Sequence, residues 1–369
     1  MTIATIEAQT EVSATTASTM KALVYRTSGT GPGKASWEDQ PRPTVQHPED
    51  AIIRITTTTI CGTDLHILKG DLASVTDGRI LGHEGIGIVE QLGPGVSAFK
   101  VGDKVILSCV TACMKCDFCR KGMLSHCRNG GWILGNLING TQAEYVRIPY
   151  ADGSLYHLPT GSDEEAMLML SDILPTGFEC GVLNGQVKPG DSVAIVGAGP
   201  VGLAVLLTAQ FYSPGAIYMV DLDDNRLATA KKFGATHLVN SADGKAVENI
   251  MKLTDGQGVD VAIEAVGTPT TFDICQGIVG AGGHLANVGV HGKPVSLQLQ
   301  KLWDRNISLT TRLVDTVTLP MLLKVVLSGK VEPAKLVTHR FHLSEILKAY
   351  DTFGNAAREH ALKVVLTNP

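Results

Sequence analysis

Between Ser192 and Asp221 the chain leaves itself few options. Ser192-Val193-Ala194-Ile195-Val196 is a continuous apolar, β-branched run of the kind buried on both faces of a parallel sheet. Gly197-Ala198-Gly199-Pro200-Val201-Gly202 follows, and then an apolar helix is predicted from Val201 to Phe211. From Val193 to Tyr212 the sequence is nearly uncharged over twenty residues, the length of a membrane span. Three glycines and Pro200 break that run, so a buried strand–turn–helix unit explains it better than a spanning helix. The G-x-G-x-x-G spacing lets the backbone approach a pyrophosphate at a helix N-terminus. By itself the pattern is weak. Its context, a strand before, a helix after and Asp221 nineteen residues past the last glycine, is the one a dinucleotide site requires. Asp221 would accept hydrogen bonds from ribose hydroxyls and repel a 2′-phosphate by roughly several kcal/mol at an effective dielectric near 20. NAD is therefore expected over NADP. Asp223 suits the cap of the next helix, expected over Asn225 to Phe233.

Strands at 217–220, 259–263 and 284–288 alternate with helical segments after this unit, which implies a parallel sheet with right-handed crossovers. Before about residue 173 the pattern is different. Short strands at 21–25, 51–55, 86–92 and 104–107 are punctuated by Gly93-Pro94-Gly95 and Gly102-Asp103, as in a β-barrel. A chain of 369 residues is long for one core. The expected class is α/β. A barrel-like β domain spans 20–173 and 309–369, and a doubly wound parallel-sheet domain at 174–308 is inserted before the C-terminal segment. Residues 1–19, rich in Thr, Ala and Ser, are expected to be a flexible extension. They lack the basic start and apolar core of a secretory signal, so a cytoplasmic protein is expected.

Five of the eight cysteines fall between residues 109 and 127. Cys113-x2-Cys116-x2-Cys119-x7-Cys127 brings four thiols close enough to repel as thiolates unless a cation neutralises them. Zn²⁺ closes such a set as a tetrahedron with no position left for water, which defines a structural site in a lobe at 109–128. Cys109, Cys180 and Cys275 read as buried and inert. Elsewhere Cys61, His83 and a carboxylate from Asp172 or Glu84 would make a mixed sulfur, nitrogen and oxygen set, the pattern of a catalytic zinc. A net charge of −5 and 5% aromatics argue against a nucleic-acid surface, and nothing calls for a membrane.

Gly82 to Val96 also satisfies G-H-E-x2-G-x5-G-x2-V. With Cys61-Gly62-Thr63-Asp64-Leu65-His66, the four-cysteine lobe and the glycine loop in the same order, the chain from Met20 onward resembles the zinc-dependent medium-chain alcohol dehydrogenases. The resemblance implies a GroES-like catalytic domain and a Rossmann domain, two zinc ions per chain, and NAD. It implies Cys61, His83 and Asp172 as catalytic-zinc ligands, Glu84 as a carboxylate able to exchange onto the metal, and Asp64 as the acid that orients the histidine. Thr63 and His66 take the places of a proton relay. Thr176, Val201, Val266, Val288 and Val290 fall at the nicotinamide, Arg226 at the ribose and Lys363 at the pyrophosphate. Trp132 stands where secondary-alcohol members place a pocket wall. The substrate implied is a small alcohol, ketone or aldehyde, and the assembly a homo-oligomer, a tetramer ahead of a dimer. Polyol- or aldehyde-active members of the same family, a zinc-free reductase of the superfamily and a non-catalytic zinc-stabilised binding protein are the alternatives.

Overall fold

A computed structural model describes residues 18–27 and 32–368, so the extension expected at 1–19 falls almost wholly outside the described residues. Six parallel strands form one sheet in the spatial order His237–Asn240, Ala216–Asp221, Ser192–Val196, Val259–Glu264, Val279–Asn287, Ser308–Thr311. The order reverses between Ser192–Val196 and Val259–Glu264, and a crevice at the carboxyl ends of these strands is where such sheets take ligands. From Val193 to Val196 the first of the two is apolar and buried, as a strand inside a parallel sheet must be. The long uncharged run resolves into this strand and the helix Pro200–Ala209, with Pro200 at the first helical position, where a missing N–H costs nothing. Among the described residues, no helix is long and apolar enough to cross a membrane. The parallel sheet runs on through Thr311, past the boundary expected at 308.

The second sheet has the path Val337–His342, Lys363–Thr367, Ala51–Thr59, Gly85–Leu92, Lys104–Leu107, Leu155–His157, with Tyr145–Ile148 also on Ala51–Thr59. Its two C-terminal strands carry the chain back against the N-terminal half: Val365, Leu366 and Thr367 pair antiparallel with Thr59, Thr58 and Thr57. That return makes the parallel-sheet region an insertion between the two parts of this second sheet. It also sets Lys363, the first residue of the last strand, beside the turn that carries His83 and Glu84.

Candidate active site

Each member of the mixed set sits where a strand or helix begins. Cys61 ends the run after Ala51–Thr59 and stands at the N-terminus of the helix Gly62–Lys69, its backbone N–H donating to Asp64 Oδ2 at 2.9 Å. His83 and Glu84 lead into Gly85–Leu92. Gly82 before them has φ +91°, and a Cβ there would meet Gln142 and Thr141 at 2.6–2.9 Å, so only glycine fits the turn. Asp172 precedes the short helix Ile173–Thr176, where the Thr176 hydroxyl donates to Asp172 Oδ1 at 2.7 Å. A π-helical segment, Gly177–Leu183, follows, a distortion frequent at functional sites.

These elements bring Cys61, His83, Glu84 and Asp172 together with one donor atom each within 4.8 Å of the others. Cys61 Sγ lies 3.6 Å and His83 Nε2 3.4 Å from Asp172 Oδ2. The two carboxylates differ in what each already holds. Both oxygens of Glu84 accept from Lys363 Nζ, at 2.8 and 3.0 Å, whereas Asp172 Oδ2 faces the sulfur and the imidazole. Lys363, expected at the pyrophosphate, lies here beside Glu84. Its side chain is 1% exposed, and its ammonium donates to Glu84 and to the Ile60 carbonyl.

Charge explains why this cluster calls for a cation. Asp64, Glu84, Asp172 and the Cys61 thiol are buried together, against one buried ammonium, Lys363. Fully ionised, the set carries four negative charges and one positive, which is untenable out of water unless a multivalent cation joins it. Protons stand in for such a cation when none is there. Burial would lower His83, but its bonds to Asp172 and Cys61 outweigh burial and raise it well above an ordinary imidazole. Burial raises the Cys61 thiol and pushes the Glu84 carboxyl up to about 7. Asp172 resists burial because His83 and Thr176 hold it well below the usual carboxylate range. A sulfur, an imidazole and a carboxylate fit zinc with a position left for a small oxygen ligand.

Behind the cluster runs a hydrogen-bonded chain that the sequence does not announce. The Tyr350 hydroxyl donates to Gln142 Oε1 at 2.7 Å, and Gln142 Nε2 donates to Asp64 Oδ2 at 3.0 Å. Asp64 Oδ1, buried without a hydrogen-bond partner, is 4.0 Å from His83 Nδ1. Asp64 is thus aimed at the histidine, with Gln142 and Tyr350 aiming it. Cys109 is buried as expected, but it is not remote: its Sγ lies 3.5 Å from Asp172 Oδ1. Its sequence signal was masked by the neighbouring four-cysteine spacing. Thr63 Oγ1 is 3.6 Å from Cys61 Sγ, and His66 lies one turn further along the same helix.

The other four thiols, Cys113, Cys116, Cys119 and Cys127, also lie within 4.8 Å of one another, all unbridged. A tetrahedron with roughly 2.3 Å metal–sulfur bonds has edges of roughly 3.8 Å, and Cys116 and Cys119 Sγ are 3.5 Å apart. Backbone N–H groups of Cys119 and Arg128 hold Cys116 down to about 6, while burial pushes Cys119 up to about 12. Hydrogen bonds outweigh burial and lower Cys113 as well, while burial raises Cys127, so the set pairs two readily ionised thiols with two whose protons a cation would displace.

At the glycine loop, Gly197 has φ +111° and Gly202 packs so closely that a Cβ would lie 1.8 Å from the Gly197 carbonyl. A Cβ on Gly199, by contrast, meets nothing within 4 Å, so space is open there on the ligand side. Asp221 Oδ2 accepts from the Ala198 N–H at 2.7 Å and Oδ1 from the Asp223 N–H at 2.9 Å. Asp223, not Asp221, caps the following helix, accepting from the Asn225 N–H. Arg226 is on that helix, its Nε buried and unpartnered. Val266 and Val290 are exposed, 42% and 45%, at the carboxyl ends of adjacent strands, with Val201 and Val288 partly covered. Trp132 is half-buried on the segment after the four-cysteine lobe, its carbonyl accepting from Asn136.

Residues 47–160 match the alcohol dehydrogenase GroES-like domain and residues 200–326 the zinc-binding dehydrogenase family. The chain belongs to the zinc-type alcohol dehydrogenases of the medium-chain dehydrogenase/reductase family. An alcohol dehydrogenase of Cupriavidus necator is 37% identical, covering 94% of this chain and 98% of its own. The NADP-dependent isopropanol dehydrogenase of Thermoanaerobacter brockii is 34% identical over 86% of this chain and 92% of its own. Among solved structures, the apo form of a zinc-dependent alcohol dehydrogenase 2 from Streptococcus pneumoniae is 60% identical. It superposes with a TM-score of 0.90 and covers 95% of this chain and 98% of its own. These relatives make the chain an oxidoreductase of the alcohol dehydrogenase type that acts on small molecules with a nicotinamide cofactor.

Proposed function

We propose that this chain is a zinc- and NAD-dependent alcohol dehydrogenase acting reversibly on small alcohols, secondary ones foremost, and on the corresponding ketones and aldehydes. The observation that carries the reading is the buried convergence of Cys61, His83 and Asp172 around a charge deficit that a divalent cation relieves. Cys61, His83 and Asp172 would hold a catalytic zinc, with Glu84 in reserve on Lys363, and Cys113, Cys116, Cys119 and Cys127 a structural one. When bound, zinc supplies a Lewis acid that makes an alcohol far more acidic, and the nicotinamide supplies the hydride acceptor.

The chain's own residues do the rest. Thr63 receives the alcohol proton as it gives up its own, and His66, one turn away and 24% exposed, releases a proton to solvent. Thr176, Val201, Val266, Val288 and Val290 would wall the nicotinamide and exclude water from it. Asp221 would take the adenosine ribose with Arg226 beside it, favouring NAD, because its carboxylate would stand against a 2′-phosphate. The isopropanol activity named for the Thermoanaerobacter brockii relative supports a secondary alcohol, with Trp132 as a wall of that pocket. The working form is proposed to be a cytoplasmic homo-oligomer, a tetramer ahead of a dimer. The test is a panel of propan-2-ol, ethanol, benzyl alcohol and sorbitol with NAD or NADP, following reduced cofactor by absorbance. The reading requires the highest kcat/KM with propan-2-ol and NAD; a protein that oxidises none of the four counts against it.

A further inference from the structure

The strand Tyr145–Ile148, the end of the strand Lys34–Pro41 and the residue before Ile80 enclose a cavity of about 370 Å³, and neither the metal set nor the glycine loop lines it. That is room for a small organic molecule. Tyr145 and Arg147, two residues apart on one strand, share a face of it. Arg42, just past the other strand, stacks its guanidinium 3.7 Å from the centre of the Tyr145 ring. Arg79 reaches in from the third side, where Asn139 Oδ1 accepts from its Nη1 at 3.3 Å and from the Ile80 N–H at 3.2 Å. Three arginines thus meet at one cavity, and among the described residues that line it none is a carboxylate.

The charges around it do not balance. Arg42 shares Glu90 with Arg54, each at 3.4 Å. Arg147 bonds Asp50 Oδ2 at 3.0 Å, an oxygen that also accepts from the Gln46 and His47 N–H groups. Arg79 has neither: its Nε is buried with no hydrogen-bond partner, and burial lowers its guanidinium with no carboxylate opposing it. Four guanidiniums against two carboxylates leave two positive charges in excess, on a chain whose net charge is −5. Water screens them poorly, since the Arg42 and Arg147 side chains are only 15% and 16% exposed. A buried N–H left unbonded is costly, so the cavity is shaped for an acceptor it does not itself supply.

The excess charge selects the class of ligand. A carboxylate would cancel half of it. A phosphate monoester carries about −1.5 to −2 at neutral pH and three strong acceptor oxygens, which guanidinium forks match in geometry. A bare ion would leave most of the space unfilled, whereas Met20, Ile138 and the Tyr145 ring offer an organic group an apolar wall. We propose that this cavity is a binding site for a small phosphate monoester, its phosphate held among Arg42, Arg79 and Arg147. With no catalytic group in its walls, the occupant is an effector and not a substrate.

The test titrates glycerol 3-phosphate into the zinc-loaded full chain by calorimetry, at constant ionic strength in chloride. Saturating NADH occupies the glycine loop, so that its own phosphate site does not contribute. One molecule per chain should bind, and glycerol should not. R79Q should weaken binding about tenfold to a hundredfold, the worth of hydrogen bonds to a charged group. R79K, which keeps the charge and loses the fork, should fall between. R42Q, which leaves Glu90 with Arg54, makes the same test independently and should also weaken binding. Oxidation of propan-2-ol by R79Q should stay within about twofold of wild type in kcat and KM. No binding at millimolar glycerol 3-phosphate, or equal binding by wild type, R79Q and R42Q, overturns the site. Binding of inorganic phosphate without the monoester overturns the ligand class, and competition with propan-2-ol that survives in R79Q overturns the effector role.

Discussion

Replacing Lys363 with methionine removes the one buried ammonium near the cluster and leaves its shape largely in place. The attraction it removes is large. At 2.8 Å from Glu84 Oε1, unit charges in an effective dielectric near 20 attract by about 6 kcal/mol. Desolvation of the ammonium is recovered on mutation, but the carboxylate is left buried and unpaired, and such breaks cost about 3–5 kcal/mol. That is a large share of the ~5–15 kcal/mol that holds a domain folded. The sign with pH follows from Glu84. Burial lifts its folded-state pKa from 4.5 to about 7, with Lys363 pulling the other way. Without Lys363 it rises further. A carboxyl raised in the folded state favours folding below its unfolded pKa and loses that contribution as pH climbs through the folded one. The K363M deficit should therefore be largest near pH 8 and smallest near pH 5, where Glu84 is neutral and needs no partner. Urea unfolding of metal-free wild type, K363M, E84Q and the double variant at both pH values measures this. The coupling between the two positions should exceed about 2 kcal/mol at pH 8. A K363M protein within about 1 kcal/mol of wild type at pH 8, or a deficit that grows toward acid, would refute the reasoning.

Further expectations follow from the same geometry. C61A or D172A should abolish alcohol turnover while NADH still quenches protein fluorescence, because the glycine loop at Gly197 is untouched; near-normal rates would remove these residues from the metal. D221G should lower the ratio of kcat/KM for NAD over NADP, and an unchanged ratio would take the ribose from Asp221. Q142L or Y350F should let a chelator strip the catalytic metal about 10–100-fold faster, the range for groups that orient a metal ligand, and should leave the four-cysteine metal in place. Equal loss rates in variant and wild type would mean that the chain through Asp64 does not hold His83.

Features written locally in the sequence were legible. The strand, glycine loop and Asp221 follow one another within thirty residues, and so do the four thiols of the lobe. The helix expected over Asn225 to Phe233 occupies Asp224–Lys232, a shift of one residue. The second metal set was visible only as parts. Spacing could not show that Glu84 is paired with a lysine 279 residues away, which reaches the site only when the last strand pairs with Thr57–Thr59. The pairing of Lys363 with Glu84 was hidden for the same reason: a basic residue on a terminal strand gives no sign of facing inward. Gln142 and Tyr350 are ordinary polar residues in sequence. They reach Asp64 only through packing of the C-terminal helix Ile346–Gly354 near Gln142.

The central claim is that a cation held by Cys61, His83 and Asp172 carries the chemistry. Metal analysis of the purified chain during stepwise chelation, with propan-2-ol oxidation followed on the same samples, tests it most directly. Two zinc ions per chain are expected, and activity should fall in proportion to loss of the first to leave and return when zinc is restored. Full turnover in protein stripped of that ion would contradict the account.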